Sequence, residues 1–252
     1  MRILVTNDDG IYSPGIAALA TAAAEFGEVT VVAPDAEQSA VGQAISILRP
    51  VYYRHSVITG MPRDVQTFRV NGTPSDCVAL GLVHWGGADL VLSGINLGSN
   101  LGHDVWYSGT VAATKQAAIL GVPAAALSLQ LTEDESVFRN LTAHLNDILK
   151  MVMALPKPFL VNINLPPKPQ GIVWTRQSVR HYQGSAREGR DPMSRRHFWL
   201  NTRPLSDPEE GTDRWAVDRG YTAVTPLRHD LTDEDWLKSV GGPCAPAGAP
   251  RE

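Results

Sequence analysis

Short apolar runs and helical stretches alternate along the first two thirds of the chain. Arg2-Ile3-Leu4-Val5-Thr6 predicts a buried strand, Ile16 to Phe26 an alanine-rich helix, and Val29-Thr30-Val31-Val32-Ala33 a second, β-branched strand ended by Pro34-Asp35. A less regular stretch follows, with strand-like runs at Ala44 to Leu48, Val51 to Arg54 and Val65 to Val70. Asn71-Gly72 is a turn signal, and Thr73-Pro74 can start a helix that runs through Leu82. Ala88 to Ser93 reads as another buried strand, Gly94 to Gly109 as a long loop rich in glycine and asparagine, and Thr110 to Leu120 as a helix. Ala124 to Leu129 is a strand and Asp134 to Ala154 one long amphipathic helix stopped by Leu155-Pro156, before a strand at Phe159 to Asn164. This alternation predicts an α/β fold with a doubly wound, Rossmann-like, mostly parallel sheet.

Pro166-Pro167-Lys168-Pro169 marks a change of character. From Ile172 to Arg203 helical periodicity is absent, and Val173-Trp174-Thr175 suggests extended hairpins. Arg176, Arg180, Arg187, Arg190, Arg195, Arg196 and Arg203 lie there, with His181, Tyr182, His197, Phe198 and Trp199 among them. Such a stretch is either a solvated face or a projecting arm used in subunit contact or in holding an anion. Tyr221 to Pro226 reads as a late strand, Leu231 to Val240 as a short helix, and 241–252 as a disordered tail. The expected organisation is a catalytic core over 1–165, an extension over 166–240 carrying the arginine-rich arm and a closing strand and helix, and the tail.

Composition narrows the function classes. A hydrophobic fraction of 43% and a charged fraction of 19% describe an ordinary globular protein. The net charge of −4 offers no bulk attraction to nucleic acid or to an anionic membrane. No apolar run approaches the roughly 20 residues that span a bilayer. The N-terminus opens directly into a strand with no signal-peptide layout, so a cytoplasmic location is expected. Cys77 and Cys244 are too few for a disulfide framework or a zinc knuckle, and Cys77, in Cys77-Val78-Ala79-Leu80, is expected to be a packed core thiol.

The first strand stops on Asn7-Asp8-Asp9-Gly10, and Ser13-Pro14 then supplies an N-cap and a first-position proline. Alone, Asp-Asp-Gly after a strand is an ordinary turn. In an open parallel sheet, however, ligands bind at the carboxyl ends of strands, and two adjacent carboxylates repel unless a cation sits between them. Three loops leave such ends. They carry Asp8 and Asp9; Asp35, Gln38 and Ser39; and Gly94-Ile95-Asn96. Carboxylate, hydroxyl and amide oxygens suit Mg²⁺ or Mn²⁺, and the missing His and Cys ligands argue against zinc. Ser108-Gly109-Thr110 precedes a helix, where free N–H groups and hydroxyls either form a simple N-cap or cradle a phosphate. His103-Asp104 reads as a loop polar pair. The chain contains no G-x-G-x-x-G after its first strand, no P-loop and no G-x-S-x-G elbow.

Five ordered motifs carry a resemblance. They are Thr6-Asn7-Asp8-Asp9-Gly10; Val32-Ala33-Pro34-Asp35 with Gln38-Ser39; Asn71-Gly72-Thr73-Pro74-Ser75-Asp76-Cys77-Val78; Ser93-Gly94-Ile95-Asn96; and Tyr107-Ser108-Gly109-Thr110-Val111-Ala112-Ala113. Together, with Thr225-Pro226-Leu227 and Asp230-Leu231-Thr232, they make a chain that resembles the SurE survival-protein family of nucleotidases. The resemblance implies a metal-dependent phosphatase acting on nucleoside 5′- and 3′-monophosphates and on short polyphosphate. It implies one divalent ion per subunit, held by Asp8, Asp9, Ser39 and Asn96, and phosphate binding by Ser108, Gly109 and Thr110. It further implies a homodimer or homotetramer with exchanged C-terminal segments, which fits the arm at Ile172 to Arg203. His103 departs from the family pattern, where an acid commonly precedes Asp104.

The expected reaction is phosphomonoester hydrolysis. Asp8 or Asp9 would orient or deprotonate the water, and Asn96 with Ser108, Gly109 and Thr110 would hold the phosphoryl oxygens. The alternatives are a nucleotide-sensing module with a structural metal, non-specific nucleic-acid binding through the arm, and a phosphatase whose acid attacks phosphorus directly. That last class wants Asp-x-Asp, where this chain has Asn7-Asp8-Asp9.

Overall fold

Residue alternation along the first strand sets up both faces of the molecule. In β1 (Arg2–Thr6), Ile3 and Val5 join one apolar cluster and Leu4 the other, as the two-residue period of a strand requires. The computed structural model describes residues 1–134, 136–179, 182–204, 207–240 and 243. The elements that follow β1 are α1 (Pro14–Ala24), β2 (Glu28–Pro34), β3 (Tyr53–His55), β4 (Gln66–Val70), α2 (Pro74–His84), β5 (Leu90–Leu97), α3 (Gly109–Ile119) and β6 (Ala124–Leu129). Next come α4 (Val137–Asn140), α5 (Thr142–Met153), β7 (Leu160–Leu165), β8 (Ile172–Trp174), β9 (Tyr182–Arg190), β10 (Arg196–Pro204), α6 (Asp213–Asp218), β11 (Thr222–Pro226) and α7 (Glu234–Ser239).

Among the described residues, nine strands form one sheet in the order β3-β4-β2-β1-β5-β6-β7-β11-β8. From β4 to β7 every neighbour is parallel, while β3 pairs antiparallel with β4, and β11 antiparallel with β7. The predicted α/β class and mostly parallel sheet are therefore observed, with β9 and β10 forming a separate antiparallel hairpin. One core layer lies under α1, α4 and α5 and contains Leu19, Leu92, Leu127, Leu145 and Ile148. The other lies under α2 and α3 and contains Leu4, Val78, Val91, Ala113 and Ala117. Each fully buried Leu or Ile contributes roughly 1.5–3 kcal/mol through its removal from water. Cys77 is buried in this second layer, as expected, and burial pushes its thiol up. Among the described residues no helix is long and apolar enough to cross a membrane.

The predicted helix starts hold. Ser13 caps α1 by accepting from the Ile16 N–H with Pro14 in the first turn, and Thr73 and Asp76 form a reciprocal capping box on α2. Other expectations need correction. Ala44 to Leu48 is not a strand: the Ser46 N–H donates to Asp76 Oδ1 at 2.8 Å, and the Ala44 carbonyl accepts from Thr73 Oγ1 at 2.7 Å. Its backbone groups bond to the start of α2 rather than to a ladder. The loop expected over Gly94 to Gly109 is shorter, because β5 runs on to Leu97 and Gly102–Trp106 forms a 3-10 turn. The single helix expected over Asp134 to Ala154 is two. Asp134 draws in the Ser136 N–H and hydroxyl as a local turn, and α4 and α5 meet at Leu141. The short C-terminal helix occupies Glu234–Ser239, capped by Asp233. Arg180 and His181, and all of 241–252 except Pro243, lie outside the described residues.

A buried polar clamp ties the C-terminal segment to the middle of the chain. Asp213, fully buried at the start of α6, accepts from the Gly102 N–H at 2.8 Å and the Ser178 N–H at 3.0 Å. Gln177 Nε2 donates to the Gly102 carbonyl at 2.7 Å. Replacing Asp213 by Ala orphans these buried donors. We expect Asp213→Ala to lower unfolding free energy by about 2–5 kcal/mol in a denaturant titration; a change below about 0.5 kcal/mol would contradict this account of the clamp.

Candidate active site

The chain reverses its direction across the sheet at β1. From there it proceeds outward through β2 and β4 on one side, and later through β5, β6 and β7 on the other. The carboxyl ends of β1 and β5 therefore flank a topological switch point, where open α/β sheets bind ligands. Asp8 and Asp9 leave the first of these ends, and Asn96 lies near the second. A register shift in the β5–β6 ladder between Ser93 and Asn96 re-aims the end of β5.

Each acid is held by a different neighbour. Asp8 is 4% exposed, and its Oδ1 accepts a hydrogen bond from the Thr110 hydroxyl. The Gly109 and Thr110 N–H groups at the start of α3 also favour its charged form. Burial outweighs all of these and pushes the Asp8 carboxyl up. Asp9 Oδ2 accepts from the Leu97 N–H at 3.2 Å. Burial first, then the neighbouring Asp8 and Glu37, raise Asp9 to about 6. Gly10 follows at φ +93°, a conformation that favours glycine, and lets the chain turn back past the acids.

The other predicted residues divide in two groups. Asn96 and Thr110 sit with the acids: Asn96 precedes the N–H that Asp9 accepts, and Thr110 bonds Asp8. The Asn96 amide nitrogen donates to the Gly98 carbonyl at 2.6 Å, which leaves Oδ1 able to accept or ligate. Gly109 lies against Asp8; a Cβ there would meet Asp8 Cβ at 2.7 Å. Ser39 is brought near by its loop, since the Gln38 N–H donates to the Asp8 carbonyl at 2.8 Å. Its exposed hydroxyl donates to Glu37 Oε1 at 2.6 Å rather than to either aspartate. Ser108 caps α3 by accepting from the Val111 N–H at 3.1 Å, and its own N–H donates to the Asp104 carbonyl. The simple capping role of Ser108 is thus present, and the remaining donors of the helix start face Asp8.

Reading the sequence missed three contributors. Asn7 is fully buried, donates to the Gly10 carbonyl at 2.9 Å and Ser13 Oγ at 2.8 Å, and leaves Oδ1 without a partner. Its place inside the Asn-Asp-Asp-Gly run was the available signal. Glu37 adds a third negative charge near Asp9. Asn100 pins the loop after β5: its N–H donates to Asn164 Oδ1, its amide to Ser128 Oγ, and its carbonyl accepts from Asn162 and Asn164.

The donor set fits a hard divalent cation. Among the described residues no cluster of three or more His, Cys, Asp or Glu side chains converges, and the further donors near the two carboxylates are neutral oxygens. Ser39 and Asn96 can supply these. Two adjacent carboxyls pushed up by burial are groups whose charged form a cation would restore.

Comparison with known proteins shows what the chain as a whole is similar to. The family model described as Survival protein SurE matches residues 3–184. A 5'-nucleotidase SurE 1 from Thermus thermophilus is 45% identical over 96% of this chain and 97% of its own length. A 5'-nucleotidase SurE from Deinococcus radiodurans is 42% identical, covering 94% of this chain and 90% of its own. The crystal structure of a SurE protein from Aquifex aeolicus superposes with a TM-score of 0.80 at 38% identity, over 95% of this chain and 98% of that one.

Two outcomes follow from the geometry. The unfolded chain titrates these acids near the ordinary 3.8, while the folded, metal-free chain holds its protons more tightly, to about 6 for Asp9. The folded state therefore binds more protons in this window, and the pair's contribution to stability is lost as pH rises from about 4 to about 6. Melting in chelator should show this loss, and Asp9→Asn should flatten it; an unchanged slope in the variant would refute the assignment. Second, Gly109→Ala should displace Asp8 and weaken divalent-ion affinity about tenfold or more while the protein stays folded. Wild-type affinity in that variant would show that the close approach is unimportant.

Proposed function

The chain belongs to the SurE family, and from that premise we propose that it is a metal-dependent phosphomonoesterase that hydrolyses nucleoside 5′- and 3′-monophosphates, with short polyphosphate as a further substrate. The observation that carries this reading is the buried Asp8 at the junction of β1 and the N-terminus of α3, with Asp9 beside it. Asp8, Asp9, Ser39 and Asn96 would hold one Mg²⁺ or Mn²⁺ ion per chain. Bound there, the ion would supply Lewis-acid stabilisation of phosphoryl charge and lower the pKa of water.

The chain's own residues do the rest. A phosphoryl group entering beside Asp8 meets the positive pole of α3, where Gly109 and Thr110 present their N–H groups. Those donors also face Asp8, so the same helix pole serves both the carboxylate and the entering phosphoryl charge. Ser108 keeps the helix start in place through its cap. The free Nδ2 hydrogen of Asn96 can reach a phosphoryl oxygen while the other stays on Gly98. Asp9, less buried than Asp8, is the better placed acid to orient the attacking water and accept its proton.

We read 1–165 as the catalytic core, 166–240 as the extension and 241–252 as a tail. The β9–β10 hairpin exposes Met193, Phe198, Trp199 and Leu200, which supports a role in subunit contact within a homodimer or homotetramer that exchanges C-terminal segments. The cytoplasm is the proposed location.

Phosphate release from a panel of nucleoside monophosphates and polyphosphate, with each divalent metal in turn, tests the reaction. We expect Asp8→Asn and Asp9→Asn each to lower kcat by about a hundredfold or more with the fold intact, and excess EDTA to abolish turnover. Full activity in either variant or in EDTA would overturn the mechanism. Tight nucleotide binding with no phosphate release under any metal would favour a sensing module instead.

A further inference from the structure

The edge of the sheet nearest the catalytic crevice carries an arrangement that the reaction does not explain. In the antiparallel β3–β4 ladder, Arg54 lies directly opposite Arg69. Their neighbours Tyr53 and Phe68 pack against Trp85 beyond α2, with ring centroids 5.0 Å and 4.4 Å away. Strand alternation therefore sends Arg54 and Arg69 together to the other face. Like charges directly opposed across a ladder destabilise it. Among the described residues, neither guanidinium has an ion pair or side-chain hydrogen bond, whereas Arg176, Arg195 and Arg196 each have a carboxylate partner.

The two arginines line a cleft of about 360 Å³ together with Asp35, Tyr52 and Asn71. That volume is within the range of small-ligand sites. Its walls are tied by backbone geometry. Asn71 Oδ1 accepts from the Tyr52 N–H at 2.6 Å, the Asn71 N–H donates to the Tyr52 carbonyl at 3.2 Å, and the Asp35 N–H donates to the Val70 carbonyl at 2.8 Å. Asp35 connects this cleft to the crevice. Three residues further along, Gln38 bonds the Asp8 carbonyl, a separation of about 10 Å even for fully extended chain.

We propose that Arg54 and Arg69 form an anion subsite that takes a phosphate group in this cleft, one loop away from the acids. Two guanidinium forks converging on one phosphate make charge-assisted, bidentate hydrogen bonds and remove the repulsion across the ladder. Asp35, the acid in the wall, limits the net charge and can accept a hydrogen bond from a sugar hydroxyl. The phosphate has two possible sources: the second phosphate of a nucleotide that carries two, such as a nucleoside 3′,5′-bisphosphate, or free inorganic phosphate. The first source rests on the nucleotidase reading; the second does not.

The test pairs a melting arm with a kinetic arm, using the full chain and the double variant Arg54→Ala/Arg69→Ala. In chelator, inorganic phosphate should raise the wild-type Tm more than sodium chloride at equal ionic strength, and the double variant should lose the larger part of that difference. At low ionic strength the variant should melt no lower than wild type, because the opposed charges are gone. If the site serves a doubly phosphorylated substrate, KM for the 3′,5′-bisphosphate rises about tenfold in the variant and KM for the 5′-monophosphate stays within about twofold. If both KM values are unchanged while the melting response is lost, the source is free phosphate. A phosphate-specific Tm response as large in the variant as in the wild type overturns the subsite, since the start of α3 is common to both. Absence of turnover on either nucleotide would sink the nucleotidase reading alone, since the melting arm needs no catalysis.

Discussion

Everything at the site depends on keeping a carboxylate buried where β1 ends. Asp8 lies two residues past a strand whose residues are fixed on both faces by core packing, and it is itself buried. Its charge is opposed by burial and supported by the N-terminal pole of α3, the Thr110 hydroxyl and the contact with Gly109. Burial outweighs these supports. The result is a site built to a charge it does not itself balance, which is the electrostatic condition that a divalent cation satisfies.

The same constraint explains the scaffold around the crevice. The loop after β5 must deliver Asn96 and then the start of α3 to one carboxylate, and loops do not hold such geometry unaided. Here Asn100 is bonded to β6 and β7 through Ser128, Asn162 and Asn164, and Gly102 is gripped from the C-terminal segment by Asp213 and Gln177. All but the half-buried Gln177 bond are buried, and buried charge- or amide-mediated bonds are costly to leave half made. The loop after β5 is thus supported by a residue more than a hundred positions away in sequence.

What the chain revealed before folding was what local chemistry encodes. An apolar run ending on two acids, a Ser-Pro and a Thr-Pro at helix starts, and β-branched runs between alanine-rich stretches were enough for the fold class and for the position of Asp8 and Asp9. Tertiary partners were not legible. Ala44 to Leu48 has strand composition, yet its backbone bonds go to Thr73 and Asp76. Thr110 reads as part of a helix start or phosphate cradle, and its bond to Asp8 exists only once the sheet brings the two together. Ser39 lies on the expected loop, but its hydroxyl is turned to Glu37, a local partner that spacing does not disclose. The opposition of Arg54 and Arg69 depends on a strand register that alternating residues leave undetermined.

The central claim is that Asp8 and Asp9 are two ligands of one divalent ion, a statement about binding that can be read without turnover. Titration of Mn²⁺ followed by its paramagnetic resonance signal counts the ions held per chain directly. The account predicts one bound ion per chain in the wild-type protein and its loss in Asp8→Asn. Undiminished Mn²⁺ binding in that variant would contradict it.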